Sequence, residues 1–560
     1  MENITKIYKK YKIKDSKLNL KDICYPNKFK LQPQQLFLSD YIYNSDIHGL
    51  LIYHQIGSGK TCTAINIAEK FKKKHKIMIV LPAALVGNFK GELLSNCPGE
   101  NLYITEKEKT ELMTVDHTSK RYKEIYSIVE KRINKYYQIY SYHKFVDLVQ
   151  ENKIKLKNTI LIIDEIQNMI SITGTFYKTL KDIIFKTDIN TYKLFLLSAT
   201  PMFDRPGEIA LTLNLLRPKE LLPIGNDFNN TFLIPIKSNS GTNYRVTNIN
   251  LFNKQIKNLV SYYRGAPPQA YPKAEFKVVR CNMSNFQYKS YLTILNKMND
   301  SIKGSFKNVD ILKLPEDFFL GPRILSNIAF PNKSIGEIGF SSFKDDKLDN
   351  IQKYSIKFYK ILKRIKKSEG PIFIYSNFKD IGGLKSFIQF IEYYGYSNYK
   401  TNGPNKKSFA VWSGSESHHY KEEIKDIFNQ KENADGSQIK IILGSPSIKE
   451  GVTLLRVDQI HILEPYWNLS RIQQIIGRGI RFCSHKDVPK ARQLVKIYLY
   501  LATHPDEEQS IDEYIWSLAK KKSKLIEEFE HLLKESAIDC ELFKARNYYK
   551  TDEKSITCKK

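Results

Sequence analysis

Three short segments of the chain carry side chains whose types and spacing suit nucleoside triphosphate hydrolysis. The first, HQIGSGKT at residues 54–61, is a glycine-bearing loop that ends in Lys60 and Thr61. Glycines let backbone N–H groups turn inward around phosphate oxygens, a lysine reaches the β- and γ-phosphates, and a threonine hydroxyl can ligate Mg²⁺. The full pattern begins with glycine, where this chain has His54. The alternative is an ordinary glycine-rich turn between a strand and a helix.

The second segment, TILIIDEIQN at 159–168, runs from an apolar stretch into two adjacent carboxylates. Asp164 could hold Mg²⁺ through water, and Glu165 could orient and deprotonate an attacking water. A further apolar run ends in Ser198 and Thr200, small hydroxyl residues suited to switching hydrogen bonds between the carboxylate loop and its neighbours. The alternative for these two residues is a hydroxyl-capped turn.

The third segment, RIQQIIGRGIR at 471–481, contains a pair of arginines in a chain where arginine is scarce. Arg478 and Arg481 are three residues apart, so on a helix both guanidinium groups would point the same way. This is the geometry of an arginine finger that clamps a γ-phosphate. A pair of surface arginines that hold a loop is the alternative.

The elements that must position these side chains are buried strands followed by helices. Continuous apolar runs at 49–53, 77–81, 159–163, 194–197, 371–375 and 439–443 are typical of parallel strands buried on both faces. Helical spacing follows the Lys60 loop, with apolar residues from Ala64 to Phe71. The sequence therefore predicts α/β units with mainly parallel sheets, in which Lys60, the carboxylates and the hydroxyls lie at the carboxyl ends of strands.

The βα pattern stops and restarts along the chain, which indicates two such units. We expect an ATP-binding domain at 1–218, a linker at 219–280 rich in Pro, Asn and Gly, and a second domain at 281–500. The second unit has no Gly-Lys-Thr loop, so both units would share one nucleotide. Residues 501–560 are expected to form a helical segment and a basic tail. Its amphipathic helix at 511–535 either packs on the second unit or binds a partner.

The composition favours a polyanionic partner and an intracellular setting. The formal charge of +29 is expected of a protein that binds nucleic acid, with an acidic membrane surface as the weaker alternative. Seven scattered cysteines without a CxxC pair predict a reducing compartment, no disulfide framework and no structural zinc. Cys483 and His485 form a lone C-x-H, for which a plain loop is the alternative to a metal site. Without a signal peptide or an apolar run of about 20 residues, we expect a soluble protein with no membrane partner.

With these residues in place, the chain resembles the superfamily 2 helicases and translocases. HQIGSGKT matches motif I, DEIQ motif II, SAT motif III, LGSPSIKEGV motif V and QIIGRGIR motif VI, while LQPQQ resembles the Q-motif and IVLPAALVGNF motif Ia. SATPMFDRPGEIALTLNLL, LEPYWN and GRGIRFCSH narrow the resemblance to helicase-like ATPases of large nucleocytoplasmic DNA viruses, which include the poxvirus early transcription factor small subunit and nucleoside triphosphate phosphohydrolase I. EPYWN is similar, more distantly, to Swi/Snf translocases.

The resemblance implies two RecA-like domains, the cofactors ATP and Mg²⁺, and a set of site residues. Catalytic roles fall on Lys60, Asp164, Glu165, Arg478 and Arg481, and Mg²⁺ binding on Thr61 and Asp164. Nucleotide contacts are implied for Gln35, which could read the adenine edge unless it is a surface residue, and for His54, Gln55, Ile56, Gly57, Ser58, Gly59, Lys60, Thr61, Gly451 and Gln474. Coupling roles fall on Gln167, Ser198 and Thr200. Gln167 stands where many relatives have histidine.

The resemblance also implies a role, a location and partners. We expect a nucleic-acid-dependent ATPase that acts as a helicase or translocase in viral transcription, in the virion and host cytoplasm. The alternative is a DNA-binding transcription-factor or polymerase-associated subunit whose motor activity is secondary. DNA or RNA, the viral RNA polymerase and other transcription factors are the expected partners. A nucleic-acid path is expected at Pro82–Ala84, Tyr140–Tyr142, Tyr375–Asn377 and the 445–450 loop.

Overall fold

The protein forms two compact units. The structure, a computed structural model, describes residues 4–12, 23–25, 28–99, 102–115, 119–238, 241–296, 312, 319–345, 348–449, 452–506, 509–549 and 555–559. Unit 1 comprises residues 1–234, 245–267 and 525–560, and unit 2 comprises 235–244 and 268–524. Each unit is built around one parallel sheet.

The strands follow the apolar runs of the sequence. In chain order they are β1 (Gly49–His54), β2 (Lys76–Leu81), β3 (Tyr137–Ser141), β4 (Thr159–Ile163), β5 (Tyr192–Ser198), β6 (Leu233–Ser238), β7 (Gly241–Val246), β8 (Val260–Tyr263), β9 (Lys273–Asn282), β10 (Ile372–Tyr375), β11 (Ser397–Asn398), β12 (Asn405–Trp412), β13 (Ile439–Gly444), β14 (Gln459–Ile462) and β15 (Leu494–Thr503). β6 and β7 form a small sheet of their own.

Helices connect most of the strands. Those up to residue 256 are α1 (Ile4–Tyr11), α2 (Pro33–Asn44), α3 (Lys60–Phe71), α4 (Val86–Leu93), α5 (Glu106–Thr114), α6 (Lys120–Asn134), α7 (Tyr142–Gln150), α8 (Thr175–Lys186), α9 (Glu208–Leu216), α10 (Asn226–Phe232) and α11 (Ile249–Ile256). The later ones are α12 (Asn285–Asn296), α13 (Leu320–Asn327), α14 (Gly336–Ser341), α15 (Ile351–Tyr354), α16 (Ile356–Ile365), α17 (Leu384–Tyr393), α18 (Tyr399–Asn402), α19 (His418–Phe428), α20 (Leu469–Gly479), α21 (Ile511–Glu535) and α22 (Cys540–Asn547).

Both sheets have the architecture that the apolar runs predict. The sheet of unit 1 has the order β3-β2-β4-β5-β1-β8, and that of unit 2 the order β11-β12-β13-β10-β14-β15-β9. All pairs within both sheets are parallel. Every residue of β1, β4, β10 and β13 is buried, as expected for strands covered by helices on both faces. The predicted α/β fold of two RecA-like units is confirmed.

The division of the chain differs from the predicted boundaries. The segment 219–280, expected to be a linker, contributes an edge strand to each sheet: β8 pairs with β1, and β9 pairs with β15 over ten residues. Residues 501–560 are not a separate segment either, because residues up to 524 belong to unit 2 and the rest to unit 1. β8 has only four residues and carries little periodicity, so its pairing is decided by the open sheet edge rather than by local pattern.

The helix at 511–535 forms with the predicted bounds and packs within the chain. Its first residues, including Ile511 and Ile515, join an apolar cluster of unit 2 around Tyr291. Farther along, the ring of Phe529 lies 5.2 Å from that of Phe252 in unit 1. These contacts favour intramolecular packing over the partner-binding alternative.

Six cysteines of the described residues are in disulfides, Cys24 and Cys483 among them, so the prediction of no disulfide framework is wrong. Cys62 at the start of α3 bonds Cys97 after α4, with the two Cα atoms 5.4 Å apart. Cys540 bonds Cys558 with a Cα separation of 5.7 Å. The pairs are 35 and 18 residues apart in sequence, and only the folded helices bring them together. The basis for predicting a reducing compartment is thereby removed. Within the described residues, no helix is both long and apolar enough to span a bilayer.

Candidate active site

The loop between β1 and α3 has the backbone geometry of an anion cradle. Gly57 and Gly59 have φ values of +81° and +78°, a region that L side chains rarely adopt. The first backbone bond of the helix runs from Thr63 N to Gly59 O at 3.0 Å. The amides of Lys60, Thr61 and Cys62 therefore precede any helical acceptor, and the helix dipole adds partial positive charge where they point. The residues present fit a phosphate group.

Two glutamines hold this loop from α2. Gln35 Nε2 donates to Gly59 O at 3.2 Å, and Gln34 Nε2 donates to Ser58 O at 3.2 Å. Gln35 Oε1 accepts from the backbone of Gln32. A Cβ on Gly59 would lie 2.6 Å from Gln35 Nε2, so this glycine is required for the close approach as well as for its φ. Sequence reasoning singled out Gln35 for adenine and missed Gln34. Adenine recognition by Gln35 stays a prediction.

The start of the loop is anchored to β8. His54 is the last residue of β1 and lies outside the left-handed region, so its backbone does not require the glycine of the usual pattern. Gln55 N donates to Tyr263 O at 3.0 Å, and Ser58 N donates back to Gln55 O at 3.1 Å. A tight turn through Ile56 results. Hydrogen bonds from β8 and α2 thus hold the loop residues that the sequence predicts.

A continuous hydrogen-bonded path links the loop to motifs II and III. Lys60 Nζ donates to Glu165 Oε1 at 2.9 Å, and Gln167 Nε2 donates to the other carboxylate oxygen at 2.6 Å. Ser198 Oγ donates to Gln167 Oε1 at 2.7 Å and accepts from Thr200 N at 2.9 Å. Five side chains or amides from three strand ends therefore meet in one network. The sequence predicted the catalytic and coupling residues separately, and the structure brings them together.

The carboxylate loop is held in a strained backbone conformation. Glu165 has φ +50°, which is uncommon for a residue with a Cβ and costs about 1–3 kcal/mol. Its N–H donates to Asp164 Oδ1 at 2.9 Å. The hydroxyl of Tyr142 donates to both Asp164 O and Glu165 O, at 2.6 and 2.9 Å. Tyr142 was predicted to contact nucleic acid; its ring is buried, and its hydroxyl holds the backbone carbonyls of the carboxylate loop. Tyr142 and Asp164 are 22 positions apart in the chain, and no local pattern indicates this pairing.

The segment after motif III is held by a buried carboxylate. Glu208, the first residue of α9, accepts hydrogen bonds from the backbone N–H groups of Phe203 and Asp204, at 2.6 and 3.0 Å. Burial raises the pKa of Glu208 to about 7, against the lowering effect of those two N–H groups. The turn that follows Ser198 and Thr200 is therefore closed by an acceptor from the next helix.

In unit 2 the two arginines converge on one carbonyl. Arg478 Nη1 and Arg481 Nη2 each donate to Val452 O at 3.3 Å, and Arg478 Nε donates to Gln474 O at 3.2 Å. α20 ends at Gly479, so Arg481 lies beyond the helix rather than on it as predicted. Both guanidinium groups still point to one place. Gly451 of motif V lies outside the described residues.

The carboxyl ends of β10 and β14 in unit 2 are joined by Glu464. Its carboxylate accepts from Ser376 Oγ, from the backbone N–H of Asn377 and from Asn327 Nδ2 at 3.1 Å. Burial raises the pKa of Glu464. The side chain of Tyr375 beside it is fully buried, and the contact of the segment Tyr375–Asn377 with nucleic acid stays a prediction. The ring lies inside the sheet because β10 is covered on both faces.

Thr61 and Asp164 are suitable ligands for Mg²⁺. Hydroxyl and carboxylate oxygens are what this hard cation prefers, and it retains most of its waters. Asp164 is only 8% exposed and its Oδ1 is oriented by Glu165 N, so it could act as a fixed acceptor. Thr61 is in the first turn of α3, next to the phosphate-binding amides.

The Ser198 hydroxyl lies at the centre of the network, and its removal has an expected result. Ser198→Ala leaves Gln167 Oε1 and Thr200 N without a buried partner, at a cost of about 1–3 kcal/mol. We expect ATP binding to persist and the stimulation of hydrolysis by nucleic acid to fall, because the path from Glu165 to motif III is cut. Steady-state ATPase assays with and without nucleic acid measure this.

The matched control for that variant is Ser39→Ala. Ser39 is equally buried in unit 1, and its hydroxyl donates to Leu36 O within its own helix. Stimulation should be unaffected there. Equal loss of stimulation in both variants would assign the effect to general destabilisation.

Comparison with known proteins gives the same assignment along the chain. The family model of the SNF2-related domain matches residues 24–327, and the family model of the helicase conserved C-terminal domain matches residues 355–483. A protein of Acanthamoeba polyphaga mimivirus named "Putative ATP-dependent RNA helicase" is 50% identical over 100% of this chain and 97% of its own length. A "Termination factor NPH-I homolog" of African swine fever virus is 25% identical over 88% of this chain and 76% of its own.

The matched regions contain every motif described above. The SNF2-related match covers the phosphate loop, the carboxylates and the Ser198 turn, and the C-terminal match covers both arginines. ATP use follows from this family. The chain therefore belongs to the SNF2-related helicase family, as a superfamily 2 ATP-dependent helicase or translocase of the type found in large DNA viruses.

Proposed function

We propose that the chain is a nucleic-acid-dependent ATPase that translocates along or unwinds nucleic acid during viral transcription. The observation that carries this is the continuous path from Lys60 through Glu165 and Gln167 to Ser198. Such a path lets a change at the triphosphate alter the turn that follows motif III. A protein that only grips nucleic acid would not need it.

In the proposed reaction each part of the site has one task. Lys60 and the amides of the loop bind the triphosphate, and in doing so they draw Lys60 away from Glu165. The freed Glu165 carboxylate then takes a proton from the attacking water. Thr61 and Asp164 would hold Mg²⁺, which when bound neutralises charge on the phosphates.

Further residues are proposed to complete the nucleotide site. Arg478 and Arg481 supply positive charge for the transition state. Gln35 is proposed to read adenine. Contacts from motifs V and VI are proposed for Gly451 and Gln474.

Nucleic acid is the proposed substrate because the chain carries a formal charge of +29. Contacts to backbone phosphates would give weak sequence preference. The names of the relatives point to an RNA helicase in one case and to a termination factor in the other. Transcription machinery in the virion and host cytoplasm, including a viral RNA polymerase, is the proposed setting. The second candidate, a DNA-binding transcription-factor subunit with secondary motor activity, is suggested by the termination-factor relative.

One experiment separates these functions. ATPase rates are measured with no nucleic acid, single-stranded DNA, duplex DNA and RNA, beside a strand-displacement assay. We expect at least one nucleic acid to stimulate hydrolysis, and the stimulation to fall steeply as salt rises because phosphate contacts release counterions. Activation by DNA without displacement identifies a translocase, and displacement of RNA duplexes an RNA helicase. Stimulation by none of the three nucleic acids would contradict the motor and favour the binding subunit.

A further inference from the structure

The phosphate loop begins at a buried chain of three polar side chains that the proposed reaction does not use. His54 Nε2 lies 3.0 Å from Ser261 Oγ, and Ser261 Oγ donates to Asp539 Oδ2 at 2.6 Å. All three residues have 0% exposure. His54 ends β1, Ser261 is in β8, and Asp539 immediately precedes α22. His54 and Ser261 are 207 positions apart in the sequence, and Ser261 and Asp539 are 278 positions apart. The fold thus joins these distant residues beside the loop that contains Lys60.

The number of available protons fixes the direction of the hydrogen bonds between His54, Ser261 and Asp539. A serine hydroxyl has one proton, and here it is donated to Asp539. Ser261 Oγ can then only accept from the ring, so His54 carries its proton on Nε2. Burial, together with the charge of Lys60, lowers the pKa of His54 to about 3, while burial raises the pKa of Asp539 to about 6. At neutral pH a neutral imidazole and a carboxylate are present, as this pattern requires.

Asp539 belongs to a C-terminal segment that covers the outer edge of β8. Ile538 N donates to Val260 O at 2.8 Å, and Asp539 Oδ1 accepts from Tyr262 N at 2.9 Å. Asn547 Nδ2 donates to Tyr262 O at 3.0 Å. The segment therefore provides partners for the backbone hydrogen-bonding groups of β8, as a neighbouring strand would. It also orients the Asp539 carboxylate toward Ser261.

We propose that His54 is a positioning residue for the phosphate loop and that Asp539, acting through Ser261, fixes its ring. The C-terminal segment would thereby set the affinity of the loop for a nucleoside triphosphate. The glycine that the usual pattern has at position 54 has no side chain, so it could not form a hydrogen bond to Ser261. The inference rests on the proposed ATP site.

The direct test is Ser261→Ala, which removes one oxygen and breaks the hydrogen-bonded connection between His54 and Asp539. We expect the Kd for a fluorescent ATP analogue to rise about tenfold, since a hydrogen bond to a charged group is lost. The KM for ATP should rise with it, and kcat should stay nearly constant because the catalytic carboxylate is untouched. An unchanged Kd would overturn the proposal.

A second background distinguishes positioning from a general structural role. His54→Phe keeps an apolar ring of similar size but cannot bond Ser261. In that background Ser261→Ala should no longer change the Kd, although it should still lower thermal stability by leaving Asp539 short of a partner. A tenfold effect in both backgrounds would show that Ser261 does not act through His54, and would overturn the proposal.

The matched control is Asn547→Ala, which loosens the same segment from β8 at a residue that does not contact His54. It should lower the melting temperature and leave the Kd unchanged. If it raises the Kd as much as Ser261→Ala does, docking of the segment and not the ring of His54 sets affinity, and the proposal fails. Because nucleotide binding is the readout, the result stands whether or not nucleic acid stimulates hydrolysis.

Discussion

Glu165→Gln is expected to bind ATP and to hydrolyse it about 10²–10⁴-fold more slowly than the natural protein, the contribution typical of a general base. An amide cannot accept the proton of the attacking water, yet it has nearly the same shape as the carboxylate. Since the ion pair with Lys60 is lost as well, ATP affinity should be unchanged or slightly tighter. Single-turnover hydrolysis and nucleotide titration measure the two quantities separately.

The control for this variant is Glu151→Gln, a change at an exposed carboxylate of the same unit. It should hydrolyse ATP at the natural rate. Hydrolysis at the natural rate by Glu165→Gln itself would refute the assigned role. Loss of nucleotide binding in that variant would show instead that Glu165 maintains the loop.

Arg478→Ala is expected to lower kcat by about 10³-fold or more, the range found for arginine fingers. The guanidinium is buried and aimed at the same carbonyl as that of Arg481. Arg478→Lys should restore little, because an ammonium lacks the planar fork that matches phosphate oxygens. ATPase rates at saturating ATP measure this, with nucleotide affinity as the second quantity.

Arg492→Ala is the matched control, since Arg492 also donates to a backbone carbonyl of unit 2, that of Ala434. A comparable fall in kcat for both variants would show that lost packing, and not lost charge at the nucleotide, explains the result. A kcat of Arg478→Ala equal to that of the natural protein would contradict the role of Arg478 as an arginine finger.

Much of the fold could be predicted, and so could the strand ends at which the candidate site residues lie, because each rests on local pattern. Continuous apolar runs gave β1, β4, β5 and β13, and the Gly-Lys-Thr loop gave the start of α3. Carboxylates and hydroxyls at strand ends followed from the rule for parallel sheets. The rule also led us to expect Lys60, Glu165, Gln167 and Ser198 at the same edge of the sheet. It did not specify the hydrogen bonds that link them.

What could not be predicted depends on residues far apart in sequence. The hydroxyl of Tyr142 supports the strained Glu165, and Cys62 meets Cys97, only after the helices have packed. Burial of Tyr375 was also missed, since a tyrosine at a strand end resembles an exposed stacking platform. β8 was assigned to a linker because a four-residue strand has too little pattern to be distinguished from a turn.

The division of unit 1 among distant stretches of chain has a consequence for biosynthesis. The edge of β8 is covered by residues after 537, which leave the ribosome only after the whole of unit 2. At ordinary rates of translation, β8 waits on the order of tens of seconds for its cover. During that time it is an open sheet edge able to pair with other nascent chains. Fragments that end before the C-terminal segment keep that edge permanently, and we expect them to aggregate where the full chain does not.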